Sequence, residues 1–381
     1  MSTTAPIARR GDAVESVDTP ALVVDLDAME RNLVAMAAFA RERGVRLRPH
    51  AKMHKSAAIA RLQIAAGAVG VCVQKTSEAE ALAAAGIDDI YISNEVVDRA
   101  KLDRVAALAA RIRLAIAVDS VTGIERLAAA MKGVPATIDV LVEVDVGHGR
   151  CGAPAAAAGE LALQVVACAP PEGGLRFAGL QAYHGAAQHL RSVAEREVAA
   201  RHAASLARAA QASVGAVGIA CPLVSGGGTG TFAFDAASGV WSELQVGSYL
   251  FMDRDYADNA PASTAPRFEH ALFVKAQVVS RGAAHAVIDA GHKSHALDSG
   301  PPRLWQRDET WVSGGDEHGI VRPAAGGSAG SLPALGETVW LIPGHCDPTV
   351  NLHDRYVCVR GGLDRGVVEV VWPIEARGCV S

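Results

Sequence analysis

Eight residues, Arg48-Pro49-His50-Ala51-Lys52-Met53-His54-Lys55, crowd two lysines, two histidines and an arginine onto the end of a candidate β-strand. A lysine desolvated in a barrel mouth beside other cations has a lowered pKa, and its free amine can form a Schiff base with a carbonyl. A solvated basic loop is the plainer reading of the same residues. A second segment, Ser225-Gly226-Gly227-Gly228-Thr229-Gly230-Thr231, also follows a candidate strand. Successive glycines let backbone N–H groups wrap an anion, and the hydroxyls add donors. No Lys-Ser/Thr pair follows, so this is not a nucleotide P-loop, and the first strand carries no G-x-G-x-x-G turn. Gly247-Ser248-Tyr249 lies after the next strand, where barrels commonly build phosphate sites. An imine-forming lysine and a phosphate cup together point to pyridoxal phosphate.

Further along, Gly344-His345-Cys346-Asp347 offers an imidazole and a carboxylate two residues apart. In extended backbone His345 and Asp347 point to the same side, a pairing suited to Mn²⁺, Mg²⁺, Co²⁺ or Zn²⁺ with open positions. Cys346 then faces the other way and packs. Tyr183-His184-Gly185-Ala186-Ala187-Gln188-His189 gathers a phenol, an amide and two imidazoles, from which a general base can come. Arg150 is a candidate anion or ring contact. Gln74 and Thr76, and Asn94 and Glu95, sit at strand ends that would face a substrate pocket; Thr76 equally fits a helix N-cap. Asp316-Glu317-His318-Gly319 is a polar cluster to which the sequence assigns no role.

These motifs need a scaffold, and the hydrophobic pattern supplies one. The 381 residues are half hydrophobic, 20% charged and carry a net charge of −5. That bounds the chain at two or so domains with a large core, and a mildly acidic surface disfavours nucleic acid and anionic membranes. Strand-like runs at 45–50, 70–74, 89–93, 113–119, 138–146, 176–184, 222–225 and 242–246 alternate with alanine-rich helical segments such as 27–43, 76–85, 97–110, 155–168 and 190–213. Asp25 or Asp27 can cap the first helix. Eight such units predict a (β/α)8 TIM-like barrel over 22–262, with an open doubly wound sheet as the rival; polar motifs recurring after the strands favour the barrel. Past 262 the texture becomes β-rich, with strands at 271–279, 285–289, 338–342, 356–360 and 367–371, so that 263–381, joined by residues 1–21, forms a second domain carrying His345 and Asp347. Seven scattered cysteines and no long apolar run predict a reduced, cytoplasmic, non-membrane protein.

Taken together, R-P-H-x-K-x-H-K at 48–55, Q-x-x-S-E-A at 74–79, G-x-G-R-C-G at 147–152, Y-H-G-x-x-Q-H at 183–189, G-G-G-T-G at 226–230, G-S-Y-x-F-M-D at 247–253 and H-x-D-P-T-x-N-L-H-D at 345–354 resemble the D-threonine aldolase and D-serine dehydratase family, whose fold is alanine-racemase-like. The resemblance runs nearly end to end. It implies that Lys52, not Lys55, carries pyridoxal phosphate, and that Gly227, Gly228, Thr229, Gly247, Ser248 and Tyr249 hold its phosphate. It also implies that Arg150 and Tyr183 touch the cofactor, that His345 and Asp347 bind a divalent metal, and that His189 is the base. Dehydratase-like members show His-x-Cys; His-x-Asp here resembles the aldolase branch and its Mn²⁺, Mg²⁺ or Co²⁺. The implied activity is cleavage of a D-3-hydroxy amino acid to glycine and an aldehyde in a homodimer. The alternatives are 3-hydroxy-D-aspartate aldolase, with Arg48, His54 or Lys75 as the extra cation, and β-elimination.

Overall fold

The computed structural model of the chain describes residues 7–168, 174–327 and 329–381. The first six residues of the N-terminal segment assigned above to the second domain lie outside the described residues.

The chain begins in what becomes the second sheet. Strand β1 (Ala21–Asp25) ends at Asp25, whose carboxylate accepts from the N–H groups of Asp27 and Ala28 and so caps helix α1 (Leu26–Arg43). Gly44, at φ +65°, ends that helix in a left-handed turn. Eight parallel strands then alternate with helices: β2 (Arg46–Leu47), β3 (Val71–Val73), β4 (Asp89–Glu95), β5 (Arg113–Val118), β6 (Thr137–Glu143), β7 (Gly174–Ala182), β8 (Val224–Gly226) and β9 (Glu243–Leu244). The helices between them are α2 (Ala57–Ala65), α3 (Thr76–Ala84), α4 (Arg99–Ala109), α5 (Val121–Met131), α6 (Ala158–Ala167), α7 (Val193–Ala216) and α8 (Phe232–Ala237). The sheet runs from β3 in order to β9 and then to β2. It closes where Cys72 N–H donates to Pro49 O at 2.9 Å and Val69 N–H to Leu47 O at 2.9 Å. Closure rejects the open doubly wound sheet.

Alternation along the strands sorts side chains between two cores. Val71, Val73, Ile90, Ile92, Val140 and Val142 face the helices, whereas Cys72, Tyr91, Ala117 and Leu141 pack inside the ring. Much of the interior is polar. Gln245 Nε2 donates to Gln181 Oε1 at 2.6 Å and to Ser225 Oγ at 2.8 Å, and Tyr91 OH donates to Gln181 at 3.0 Å. Arg48 closes the lower end, 2.6 Å from Asp89 and 3.3 Å from Glu243. Every polar atom satisfied in this way specifies one packing of the ring.

After the barrel the short helix α9 (Arg254–Ala257) leads into β10 (Leu272–Arg281), β11 (Ala286–Ile288), β12 (Arg303–Leu304), β13 (Thr310–Ser313), β14 (Gly319–Arg322), β15 (Thr338–Ile342), β16 (Arg355–Arg360) and β17 (Val367–Pro373). Their sheet has the order β13-β14-β11-β10-β1-β16-β17, with β15 also on β10 and β12 on β15. β1 is therefore an inner strand, antiparallel to β10 and parallel to β16. Strands β12, β13 and β14 are additions to the sequence reading; they are short and lie among Gly and Pro turns, which hides their alternation.

Candidate active site

The segment after β2 delivers the lysines to different places. His50 caps a single turn, Ala51–Met53, that swings Lys52 into a cavity at the C-terminal mouth of the barrel. Lys55 turns back at φ +52° and is buried, with Nζ 2.7 Å from Glu78 Oε1 and 3.3 Å from Cys379 O. Among the described residues Lys52 is the only lysine lining the cavity, whose volume is about 280 Å³. Its Nζ sits 3.2 Å from Asp347 Oδ2, with the side chain 40% exposed. This corrects the expectation of a lowered pKa: the Asp347 carboxylate raises the Lys52 pKa well above its ordinary value, and desolvation opposes it without prevailing. His50 beneath is neutral, since burial and then the Lys52 charge depress its pKa well below the usual range.

Two backbone turns line the opposite wall. Gly228 and Thr229, and Gly247 and Ser248, reach the cavity and are joined where Tyr249 N–H donates to Thr229 Oγ1 at 3.0 Å. The glycines have a packing reason as well as a binding one. A Cβ on Gly230 would meet Gln188 O at 2.3 Å, and Gly227 adopts φ +72° with Asp235 only 2.9 Å from its absent Cβ. Among the described residues, Gly227, Tyr249 and Thr76 are not part of the cavity lining. Gly227 shapes the turn. The Tyr249 hydroxyl accepts from Gln63 Nε2 at 3.3 Å, so only its backbone faces this region. Thr76 is the first residue of α3, buried behind it, with Lys75 as the N-cap residue.

The rest of the lining includes Gln74, whose amide contacts His50 Nε2 at 3.0 Å and Ser93 Oγ at 3.0 Å. Tyr183 lines it too, with the Arg150 guanidinium 5.9 Å from its ring centroid. His189 enters from the turn after β7, its Nδ1 2.5 Å from Asp255 Oδ2. Asn94 stays behind, donating to Gln74 O at 3.1 Å. Glu95 lies beside the buried Glu143, whose pKa burial and then the Glu95 carboxylate push up to about 9. Asp316, Glu317 and His318 are exposed in the turn before β14, away from the cavity.

The His-x-Asp motif is not extended. His345 caps a one-turn helix, α10 (Cys346–Val350), because Pro348 tolerates an early helical position and Thr349 Oγ1 folds back onto His345 O at 2.7 Å. The two side chains converge nonetheless, with His345 Nε2 3.7 Å from Asp347 Oδ1. That oxygen is buried and has no hydrogen-bond partner among the described residues. An orphaned carboxylate oxygen facing an imidazole nitrogen is a costly arrangement that a cation would relieve. Burial pushes the Asp347 carboxyl up, but Lys52 and His345 outweigh it and hold it below its ordinary value. Burial opposes charge on His345 as well, yet Asp347 and Asp298 raise its pKa. Among the described residues no three His, Cys, Asp or Glu side chains gather into a metal-ready cluster. Cys346 is fully buried in the main core and its N–H donates to Asp253 Oδ2 at 2.9 Å.

Sequence reasoning missed four residues. Asp298 accepts from His345 Nδ1 at 2.6 Å, the outer partner that metal-ligating histidines usually have. Asp253 and Asp255 anchor neighbouring loops, and the Tyr256 ring lies tilted 5.4 Å from that of His189. Asp253 closes the G-S-Y-x-F-M-D motif, a usable signal; Asp298 lies in an irregular loop and gives none. The three extra cations named for a second carboxylate are elsewhere. Arg48 is at the barrel floor, His54 is buried against Gln63, and Lys75 lies outside the cavity.

Comparison with known proteins agrees with this architecture. The family model described as alanine racemase, N-terminal domain, matches residues 24–255, and a serine dehydratase domain model matches 271–359. A D-threonine aldolase from Arthrobacter sp. is 48% identical over 98% of this chain and 96% of its own length. A 3-hydroxy-D-aspartate aldolase from Paracoccus denitrificans (strain Pd 1222) is 42% identical over 95% of this chain and 92% of its own length. The crystal structure of D-threonine aldolase from Filomicrobium marinum superposes with a TM-score of 0.94 at 49% identity, covering 99% of this chain and 100% of the other. All seven cysteines are free, and among the described residues no helix is long and apolar enough to cross a membrane. A closed barrel with a β-rich second domain, matched end to end by aldolases, makes this chain a lyase of the aldolase branch of the D-threonine aldolase and D-serine dehydratase family.

Proposed function

We propose that the chain is a pyridoxal-phosphate- and divalent-metal-dependent aldolase that cleaves D-3-hydroxy amino acids of the D-threonine and D-allo-threonine type to glycine and an aldehyde. The observation that carries this reading is the meeting in one cavity of the Lys52 amine with Asp347, 3.2 Å apart, where Asp347 also converges with His345. When bound, pyridoxal phosphate supplies an electron sink for the pair left on Cα and the metal supplies Lewis acidity at an oxygen. Lys52 would carry the cofactor; Gly228, Thr229, Gly247 and Ser248 would hold its phosphate, with Gly227 and Tyr249 shaping the two turns. His345 and Asp347 would hold Mn²⁺, Mg²⁺ or Co²⁺, ions that suit an oxygen ligand and retain open positions.

The chain's own residues then divide the work. Arg150 and Tyr183 form one side wall and orient what enters. Gln74, bonded to His50 and Ser93, presents a fixed amide at the floor. His189 is held by Asp255 and takes the proton of the C3 hydroxyl, which lets C3–O become the carbonyl of the departing aldehyde. A proton returned at Cα completes glycine.

A second reading, 3-hydroxy-D-aspartate aldolase, is favoured by the 42% identity to that enzyme. Its side-chain carboxylate would find Arg150, a cation of the cavity wall that Lys52 shares, rather than Arg48, His54 or Lys75. Glycine release from D-threonine, D-allo-threonine, D-phenylserine and D-3-hydroxyaspartate, with and without Mn²⁺, tests both. Turnover of the first three with metal supports the proposal; strict preference for the last supports the second. Ammonia and a keto acid in place of glycine defeat both and establish β-elimination.

A further inference from the structure

The cation pair and His189 are carried by different sheets. His345 and Asp347 follow β15 of the second sheet, whereas His189 follows β7 of the barrel. One short segment, Asp253–Asn259, is bonded to both. Toward the cation loop, Arg254 N–H donates to Pro343 O at 3.0 Å, Asp255 N–H to Gly344 O at 3.2 Å, and Cys346 N–H to Asp253 Oδ2 at 2.9 Å. Toward the base, Asp255 Oδ2 meets His189 Nδ1 at 2.5 Å and Asn259 Nδ2 donates to Gln188 O at 2.9 Å. Arg191 donates to Asn259 Oδ1 at 2.8 Å and also pairs with the Asp255 carboxylate, and Ala260 N–H donates to Arg191 O at 2.9 Å. The remaining Asp253 oxygen accepts from Tyr256 N–H at 3.0 Å, and Tyr256 in turn packs on the His189 ring.

Helix α9 has only four residues, too few to hold a conformation unaided, so these bonds fix its place. Asp253 and Asp255 are both buried, and a buried carboxylate persists only where its oxygens are engaged. The Asp255 carboxylate, ionised beside Arg191, can only accept, so His189 Nδ1 carries the hydrogen and Nε2 is left to take a proton. We infer that Asp253–Asn259 is a two-sided brace setting the cation pair at a fixed distance from His189, with Asp253 positioning the cation loop and Asp255 positioning the base. The inference rests on the aldolase reading for the chemistry at His189.

Asp255→Asn keeps the shape but no longer dictates the imidazole's hydrogen. Its kcat for D-threonine should fall roughly 10²–10³-fold, the share a positioned base supplies, while KM and the Mn²⁺ dissociation constant of the cofactor-loaded protein stay within about twofold. Exchange of the glycine α-hydrogen with D2O, which needs Lys52 and the cofactor but no base at a C3 hydroxyl, should persist. Asp253→Asn has one acceptor oxygen for two N–H donors, and its Mn²⁺ affinity should drop roughly tenfold or more. Asn259→Ala, a milder change, should lower kcat several-fold with metal affinity intact. Cleavage by Asp255→Asn at the parent rate, or loss of cleavage and glycine exchange together, overturns the brace. A parent protein that exchanges glycine but cleaves no D-3-hydroxy amino acid overturns the aldolase reading instead, and the Mn²⁺ affinity of Asp253→Asn still decides the brace.

Discussion

Asp298→Asn separates an orienting carboxylate from a bystander. Asp298 Oδ2 lies 2.6 Å from His345 Nδ1, so that nitrogen carries the hydrogen and Nε2 turns its lone pair toward the space beside Asp347. A hydrogen bond to a charged group contributes about 1.5–3 kcal/mol when enclosed. Asp298 is 49% exposed, which places its contribution at the lower edge once solvent competes. About 1.4 kcal/mol corresponds to about a tenfold weakening of cation affinity, the low end for an outer-shell partner. Calorimetric titration of Mn²⁺ into the cofactor-loaded parent, Asp298→Asn and Asp347→Ala should therefore give a series: tight, about tenfold weaker, and no binding at this site. An Asp298→Asn affinity equal to the parent's refutes the orienting role. An Asp347→Ala protein that still binds Mn²⁺ like the parent removes the site itself.

Three further outcomes follow from the geometry. Lys52→Ala should abolish the visible absorbance of bound cofactor. Lys55→Ala should retain it but lose about 3–5 kcal/mol of stability in urea denaturation, because Glu78 is left buried without its partner. Gly230→Ala forces a Cβ onto Gln188 O at 2.3 Å and should cost about 1–3 kcal/mol, read as a lowered Tm together with weaker cofactor binding. Asp235 is buried, and burial pushes its carboxyl up to about 7 from the model-compound value of 3.8. A carboxyl raised on folding leaves stability intact at low pH and erodes it as pH climbs from 3.8 toward 7. Asp235→Asn still accepts from Thr231 Oγ1, so it should remove that erosion and gain ~2–4 kcal/mol over the parent at pH 8 but little at pH 4.

The barrel was legible because its strands and helices obey two different periods and its polar motifs recur at one end of the strands. Lys52, Arg150, Tyr183 and Gly228 could be placed at the mouth on that ground alone. What the linear pattern hid was long-range. Lys52 and Asp347 are nearly three hundred positions apart, so the ion pair that raises the lysine's pKa could not be inferred from the cations flanking it. Periodicity also misread the cation motif, since Pro348 and Thr349 start a helical turn where alternation suggested a strand. Asp298 and Asp255 act through partners on remote loops, and no local spacing marks them. The glycine run was visible, but its cause is partly the close approach of Gln188, a contact made only in three dimensions.

The place of β1 has a bearing on how this protein comes into being. Among the described strands it is the first made, yet its neighbours β10 and β16 arrive only after the whole ring has been synthesised. At cellular elongation rates that delay is on the order of tens of seconds. Through it, both edges of an apolar ribbon must stay unpaired and away from strangers. A gene cut after residue 262 would leave that ribbon permanently widowed, and the barrel half expressed by itself should aggregate unless β1 is removed with it.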